Sequence, residues 1–358
     1  MIGPPKKSEP TFSAVNKPAP GIDFVAMRDP RDRAADTPIN TVGRPFLSSG
    51  VTRVSEILLS TTGGPAPTTV KYPEERMQDN QVTGQPTLAE QSNEVAHVVG
   101  VMSGKGGVGK SLVAGLLACA LRMSGREVGI LDADITGPSI PKMFGIAERP
   151  DMSELGIFPV ATRTGIRTIS INLFLEKPGD SVIWRGPIIS NTVKQFWQEV
   201  FWGKLDYLLV DLPPGTADVP LTVMQSLPLD CVVIVTSPQD LAAMVVRKAV
   251  DMCAKMKTPV LGMVQNMAWL KCDNCGEIVY PFGKSAGEQV ARDMGIPHLL
   301  DLPIDPEISA RCDAGTIEDY SPNPIVDKID LFENAVAAIQ HTRKPGGECN
   351  ACNASGRQ

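Results

Sequence analysis

Residues 103–111 read Ser-Gly-Lys-Gly-Gly-Val-Gly-Lys-Ser, and they limit the possible folds more than any other stretch of the chain. The segment ahead of them, His97 to Met102, is short, apolar and rich in β-branched residues, as a buried parallel strand requires. The segment after them, Leu112 to Met123, is made of good helix formers. A strand, then G-x-x-x-x-G-K-S (Gly104, Gly109, Lys110, Ser111), then a helix is the P-loop arrangement. Gly104, Gly106, Gly107 and Gly109, with Val108 among them, let successive backbone N–H groups turn inward on phosphate oxygens. The helix N-terminus adds its partial positive charge. In this arrangement Lys110 reaches the β- and γ-phosphates and the Ser111 hydroxyl ligates Mg²⁺. The loop therefore implies a bound nucleoside triphosphate.

Composition narrows the setting. A hydrophobic content of 42% is sufficient for a sizeable core. A net charge of −6 and a pI near 5.3, without a long basic run, argue against nucleic acid as the main partner. No apolar stretch approaches the roughly 18 residues that span a bilayer, so no membrane partner is expected. The N-terminal residues lack an apolar core and mix acids with bases, so the expected location is cytoplasmic. Of the eight cysteines, four form two C-x-x-C pairs, which suits a reducing compartment and metal chemistry.

Three segments follow from the pattern. Residues 1–95 are proline-rich, hold no cysteine or tryptophan and show no long periodic run, so they read as a low-order N-terminal extension with at most one short element at Val51 to Leu59. Residues 96–343 alternate buried strands with helices. After the first strand come a strand from Glu127 to Asp134, a hairpin of Gly156 to Val160 with Gly165 to Leu173, and a helix from Asn191 to Phe201. Strands at Leu205 to Leu212, Asp230 to Thr236 and Pro259 to Met267 surround a helix from Asp240 to Lys257, and a last helix covers Ile325 to His341. This alternation predicts an α/β P-loop NTPase, its mostly parallel sheet covered by helices on both faces. Residues 344–358 form a flexible tail carrying Cys349 and Cys352. In such a sheet, ligands bind at the carboxyl ends of the strands.

Acidic groups stand at those ends. Asp132 and Asp134 close the second strand in Leu-Asp-Ala-Asp-Ile-Thr-Gly-Pro-Ser, and Asp211 closes a later one in Val-Asp-Leu-Pro-Pro-Gly-Thr-Ala-Asp, which also holds Asp218. Phosphoryl transfer needs Mg²⁺ to neutralise charge and a group to orient the attacking water. Asp211 is assigned to Mg²⁺ through water and Asp134 to the nucleophilic water. Pro213, Pro214 and Gly215 form a segment whose backbone can sense the γ-phosphate. Asp218 is expected to cap the helix beginning near Val219; Asp132 is left between a turn-capping and a catalytic role.

The second lysine, Lys105, directly follows the first glycine. This G-K-G-G-V-G-K-S form resembles the deviant Walker A loop of the nitrogenase-reductase, MinD and ParA group, where the extra lysine reaches the nucleotide held by the partner subunit. The resemblance thus implies a nucleotide-gated homodimer. Together with D-A-D-I-T-G-P-S, W-R-G-P (Trp184 to Pro187), V-D-L-P-P-G-T and L-T-V-M-Q (Leu221 to Gln225), the loop resembles the Mrp/ApbC branch of iron–sulfur cluster carrier ATPases from residue 97 to about residue 320. Two departures are Gln265, where Glu is usual before Asn-Met, and Ala217, where glycine is common. The resemblance implies ATP as the nucleotide, slow hydrolysis, Asn266 at the adenine, and Pro303 and Asp305 near the base.

Cys272-Asp-Asn-Cys275 follows the strand that carries Asn266. Taken alone, a C-x-x-C pair can be half of a zinc site, a redox pair or one edge of a cluster. No histidine lies nearby in sequence, which disfavours a Cys₂His₂ zinc site. A [4Fe–4S] cluster needs four thiolates, and a homodimer supplies them in two pairs. The resemblance implies such a labile bridging cluster, carried to apoprotein acceptors. The tail pair, Cys349 and Cys352, is either an auxiliary thiol pair or simply exposed. Cys119, Cys231, Cys253 and Cys312 are expected in the core, as are Met224, Met244, Met252, Met256 and Met263. The aromatic group Trp184, Phe196, Trp197, Phe201 and Trp202 reads as core or dimer contact, and Arg185 as serving the nucleotide or the dimer. Two rivals are a MinD/ParA-type positioning ATPase acting on membrane or DNA and a nitrogenase-reductase-like electron donor. The first leaves the C-x-x-C without a role, and the second uses well-separated single cysteines.

Overall fold

A computed structural model describes residues 87–134, 139–174, 186–239, 242–284 and 286–342. Its centre is β1 (Glu94–Ser103), whose last six residues are all buried. Val99 and Val101 point into one core and Val98 and Met102 into the other, as the two-residue period of a strand demands. A strand buried on both faces must be mostly apolar, and the buried stretch Val98 to Met102 is.

The remaining strands of the main sheet are β2 (Val128–Asp132), β5 (Val160–Ala161), β6 (Arg167–Ser170), β7 (Lys204–Asp211), β8 (Cys231–Thr236), β9 (Val260–Gln265) and β12 (His298–Asp301), numbered with two small hairpins described below. The spatial order is β12-β9-β8-β1-β7-β2-β6-β5. Every pairing is parallel except β5 with β6. Register places Val101 beside Asp211 and Asp132 beside Asp211, so the acidic strand ends gather next to the loop that leaves β1.

Helices cover both faces. In chain order they are α1 (Leu88–Ser92), α2 (Lys110–Met123), α3 (Ser139–Met143), α4 (Gly186–Glu199), α5 (Asp218–Ser226), α6 (Ala242–Lys255), α7 (Gly287–Met294), α8 (Pro306–Ala314) and α9 (Ile329–Thr342). One core joins α2, α8 and α9 to the sheet, with Leu116, Leu121, Ile130 and Val336 fully buried. The other joins α4, α5 and α6, with Phe196, Trp202, Val223 and Ala249 at its centre. Trp202 is wholly buried and its indole N–H donates to the Phe196 carbonyl at 3.1 Å, which satisfies the polar end of an otherwise apolar side chain.

The expected α/β architecture is present, with shifted element bounds. The single hairpin expected at Gly156 to Leu173 is two antiparallel pairs: β3 (Asp151–Ser153) with β4 (Gly156–Phe158), and β5 with β6. Pro159, which has no N–H to donate, separates them. Order also begins earlier than residue 96. Thr87 accepts the Glu90 N–H as the cap of α1, Ala89 is fully buried, and β1 starts at Glu94. Asp218 does not cap α5; Ala217 holds the cap position and Asp218 sits in the first turn, where its charge suits the helix dipole. Met244 is 53% exposed rather than in the core, while Met224, Met252 and Met263 are buried. Val51 to Leu59, Trp184, Arg185 and the Cys349–Cys352 tail lie outside the described residues.

Candidate functional site

The loop of residues 104–109 joins β1 to α2, and Gly109 stands at the helix N-cap with φ +82°, a left-handed conformation that side-chain-bearing residues rarely adopt. It borders a cleft of about 550 Å³. Gly106, Gly107, Gly109, Lys110 and Ser111 form one wall, with Asp134 and Pro214 close by. The opposite wall comes from α3 and α8, through Met143, Ile308 and Cys312 among others. Sequence reasoning missed this wall, because α3 and α8 are short and carry no phosphate-loop motif. Cys312 is therefore partly exposed at the cleft, unlike Cys119, Cys231 and Cys253, which are buried. Burial pushes the Cys119 and Cys253 thiols up to about 12.

Lys110 lies beneath the loop, only 5% exposed, with its ammonium 2.6 Å from Asp211 Oδ1 and 3.3 Å from Asp134 Oδ2. It also donates to the Ser111 hydroxyl at 3.3 Å. Asp211 is fully buried, and its Oδ2 has no hydrogen-bond partner among the described residues. Burial drives its carboxyl above the ordinary range, and Lys110 opposes that rise. Asp132 is also fully buried, pushed well above the ordinary range first by burial and then by Asp211. Its Oδ1 accepts the Asp134 N–H at 3.0 Å and its Oδ2 accepts the Ser170 hydroxyl at 2.8 Å. Asp132 thus holds the turn that presents Asp134. Ser170 was not singled out in the sequence; only the β2–β6 register brings it to Asp132.

Lys105 is hydrogen-bonded by its ammonium to the Gln239 side chain, in the segment that follows β8. The Gly215 N–H donates to the Ser103 carbonyl at 2.9 Å, so the Pro-Pro-Gly segment is tied to the start of the loop. Asn266, Pro303 and Asp305 do not line the cleft. Asn266 is 2% exposed and donates its side-chain N–H to the Val108 carbonyl at 2.9 Å. Asp305 caps α8 by accepting the Glu307 N–H at 2.8 Å and also accepts the Tyr320 hydroxyl at 2.8 Å.

The cysteine pair sits at the tip of a finger, in the turn between β10 (Leu270–Lys271) and β11 (Ile278–Val279). Cys272 is partly exposed and Cys275 exposed. The Cys272 N–H donates to the Glu277 carbonyl at 2.9 Å, and the Gly276 N–H to the Cys272 carbonyl at 2.8 Å, which fixes the turn. Backbone N–H groups of Cys275 and Asn274 hold the Cys272 thiol below its ordinary range. Such a thiol is readily available as the thiolate that binds metals. Beside the pair, Ile278, Val279, Tyr280 and Phe282 are all at least 40% exposed. Among the described residues no helix is long and apolar enough to cross a membrane.

Known proteins are similar to this chain in sequence and in fold. An iron–sulfur cluster carrier protein from Clostridium perfringens is 45% identical over 244 residues, covering 66% of this chain and 86% of its own length. The cytosolic Fe-S cluster assembly factor NUBP2 of Gallus gallus is 42% identical over 237 residues, covering 64% of this chain and 87% of its own. A nucleotide-binding protein from Archaeoglobus fulgidus, solved in complex with ADP and with Co, is 45% identical and superposes with a TM-score of 0.58, covering 64% of this chain and 90% of its own. The model of the NUBPL iron-transfer P-loop NTPases, of the ParA group, matches residues 94–339, from the first residue of β1 into α9, and the chain belongs to this family.

Proposed function

We propose that this chain is an ATP-dependent carrier that holds a [4Fe–4S] cluster between two copies of itself and delivers it to apoproteins. The observation that carries this reading is the coexistence of a phosphate cradle with a buried lysine and an exposed cysteine pair whose thiol is already biased towards the thiolate. The iron–sulfur roles named for the relatives support the same cargo.

The donors present fit Mg²⁺ with ATP. Asp211 has a buried oxygen, Oδ2, with no hydrogen-bond partner among the described residues, and the Ser111 hydroxyl lies close to the same carboxylate, so these two groups would hold the cation. When bound, Mg²⁺ neutralises charge on the β- and γ-phosphates. Lys110 leaves Asp211 and Asp134 for the phosphates, and Asp134, freed of its ion pair, orients the attacking water. Lys105 leaves Gln239 to reach the nucleotide of the second copy. Each chain brings two thiolates, Cys272 and Cys275, so the four that a [4Fe–4S] cluster needs come from a pair of chains.

Anaerobic reconstitution with iron and sulfide tests the reading. The native protein is expected to develop a cluster absorption band, and Cys272→Ala to lose it. A band of undiminished intensity in the variant refutes the assignment.

A further inference from the structure

The finger that bears the cysteines leaves and rejoins the body at neighbouring residues. It departs from the end of β9 through Asn266 and Met267, six residues ahead of Cys272. It returns at Gly287, the first residue of α7, whose backbone approaches the Gln265 side chain so closely that an added Cβ would stand 2.6 Å from its Oε1. Gln265 and Asn266 are both almost fully buried, at 3% and 2% exposure. Both roots of the finger therefore rest on one dipeptide.

That dipeptide also touches the nucleotide loop. The Asn266 side chain donates to the Val108 carbonyl, and a Cβ on Gly109 would collide with the same amide nitrogen. Val108 and Gly109 share one peptide plane, and planarity makes its two faces move together. Its C=O edge is held by Asn266. Its N–H edge belongs to the cradle that faces phosphate. A phosphate drawing in the Gly109 N–H must rotate the Val108 carbonyl, and with it the partner of Asn266.

Beyond Asn266 the path is stiff. Met267 has φ +60°, a left-handed conformation that residues with a side chain seldom hold. The Asn266 N–H is bonded to the Thr236 carbonyl at 2.8 Å, the Ala268 N–H to the Leu302 carbonyl at 2.9 Å, and the Trp269 carbonyl to the Ile304 N–H at 2.7 Å. β10 follows at once. Asn266 thus lies between the loop and the finger.

From this geometry we propose that Gln265 and Asn266 relay nucleotide occupancy to the cysteine finger, with Asn266 as the positioning residue that grips the loop and Met267 as the rigid root. The relay rests on the function proposed above and adds the route by which the nucleotide acts on the cargo. Coupling along such a route requires an element with two arrangements biased by both sites, and the Val108–Gly109 peptide plane is that element.

Iodoacetamide labelling of the cluster-free, full-length protein tests this, with alkylation of the peptide containing Cys272 and Cys275 followed by mass spectrometry. In the native chain, saturating Mg²⁺ with a non-hydrolysable ATP analogue is expected to change the labelling rate about fivefold or more, the lower end of ordinary coupling. In Asn266→Ala the nucleotide effect disappears, at analogue concentrations that a fluorescent-nucleotide titration shows to be saturating. Met267→Gly frees the left-handed root without touching the cleft; it should lose the effect with its nucleotide affinity unchanged. If Asn266→Ala binds no nucleotide at all, Met267→Gly alone decides. A nucleotide effect that persists in Met267→Gly, or in a nucleotide-saturated Asn266→Ala, overturns the relay, as does a native chain whose labelling ignores nucleotide. Because this assay needs no cluster, its failure is distinct from a failure of reconstitution on Cys272.

Discussion

Lys110 is the residue whose surroundings show most plainly how a buried charge is balanced. It is nearly buried, and two carboxylates approach it, so its charge is matched rather than stranded. Removing one member of a buried pair leaves an uncompensated charge, which typically costs about 3–5 kcal/mol. A half-buried ionisable group lies nearer the amino ends of the strands. His97 stacks on Tyr207 with ring centroids 4.9 Å apart, and its Nδ1 is buried without a partner among the described residues. Burial lowers its affinity for a proton, against the opposing pull of Asp230 and Asp206. The folded chain thus takes up the His97 proton less readily than the unfolded one. This contributes stability above the unfolded value of 6.5, and that stability is lost as pH falls through 6.5 towards the lower folded value. His97→Phe keeps an aromatic ring on Tyr207 and removes the titration. Its melting temperature should fall less than the native protein's between about pH 7.5 and about pH 5.5. An identical fall in both proteins would assign the acid sensitivity to other groups.

Among the elements, the β1–loop–α2 unit was legible from residues alone, because its glycines, lysine and flanking hydrophobic runs all serve one geometry. Gly109 shows how tight that geometry is. Gly109→Ala must hold an ordinary residue at positive φ, at about 1–3 kcal/mol, and must push its Cβ into Asn266. Nucleotide binding is expected to weaken at least about tenfold. The melting temperature should fall by about 2–12 °C, at about 2–4 °C per kcal/mol in a domain of this size. A fluorescent-nucleotide titration beside a thermal melt measures both; unaltered affinity would mean that the loop can reshape itself. Other elements were less legible. The region between β2 and α4 reads as one hairpin by hydrophobic pattern, but Pro159 divides it between two sheets. Helix α8 is short and has little contrast between its faces, so its periodicity is faint, although it builds one wall of the cleft.

For the whole molecule, the two sites make opposite demands. The nucleotide cleft is recessed among buried charges, whereas the cysteines stand on an exposed tip flanked by Tyr280 and Phe282. An exposed apolar strip beside this cysteine pair suits the closure against a second chain that is proposed above. Lys105 belongs to this scale too, since its proposed work is on the other copy's nucleotide. Lys105→Ala should abolish ATP hydrolysis, by at least about a hundredfold as for the loss of a charge-stabilising group. Cluster loading on Cys272 and Cys275 should stay close to native. Phosphate release and bound iron measured on the same preparation check this, and native hydrolysis in the variant would remove the inter-subunit role.

The residues alone determined that a triphosphate loop sits between a buried strand and a helix, that carboxylates end two of the other strands, and that one cysteine pair stands apart from the core cysteines. These are local properties, written in spacing and residue type. Only the tertiary structure decided which distant groups meet. The β2–β7 register sets Asp132 against Asp211, the β2–β6 register brings Ser170 to Asp132, and the end of β9 carries Asn266 under the loop from 158 residues away. Such contacts depend on strand order, and strand order is set by how the whole set of apolar faces buries itself rather than by any one segment.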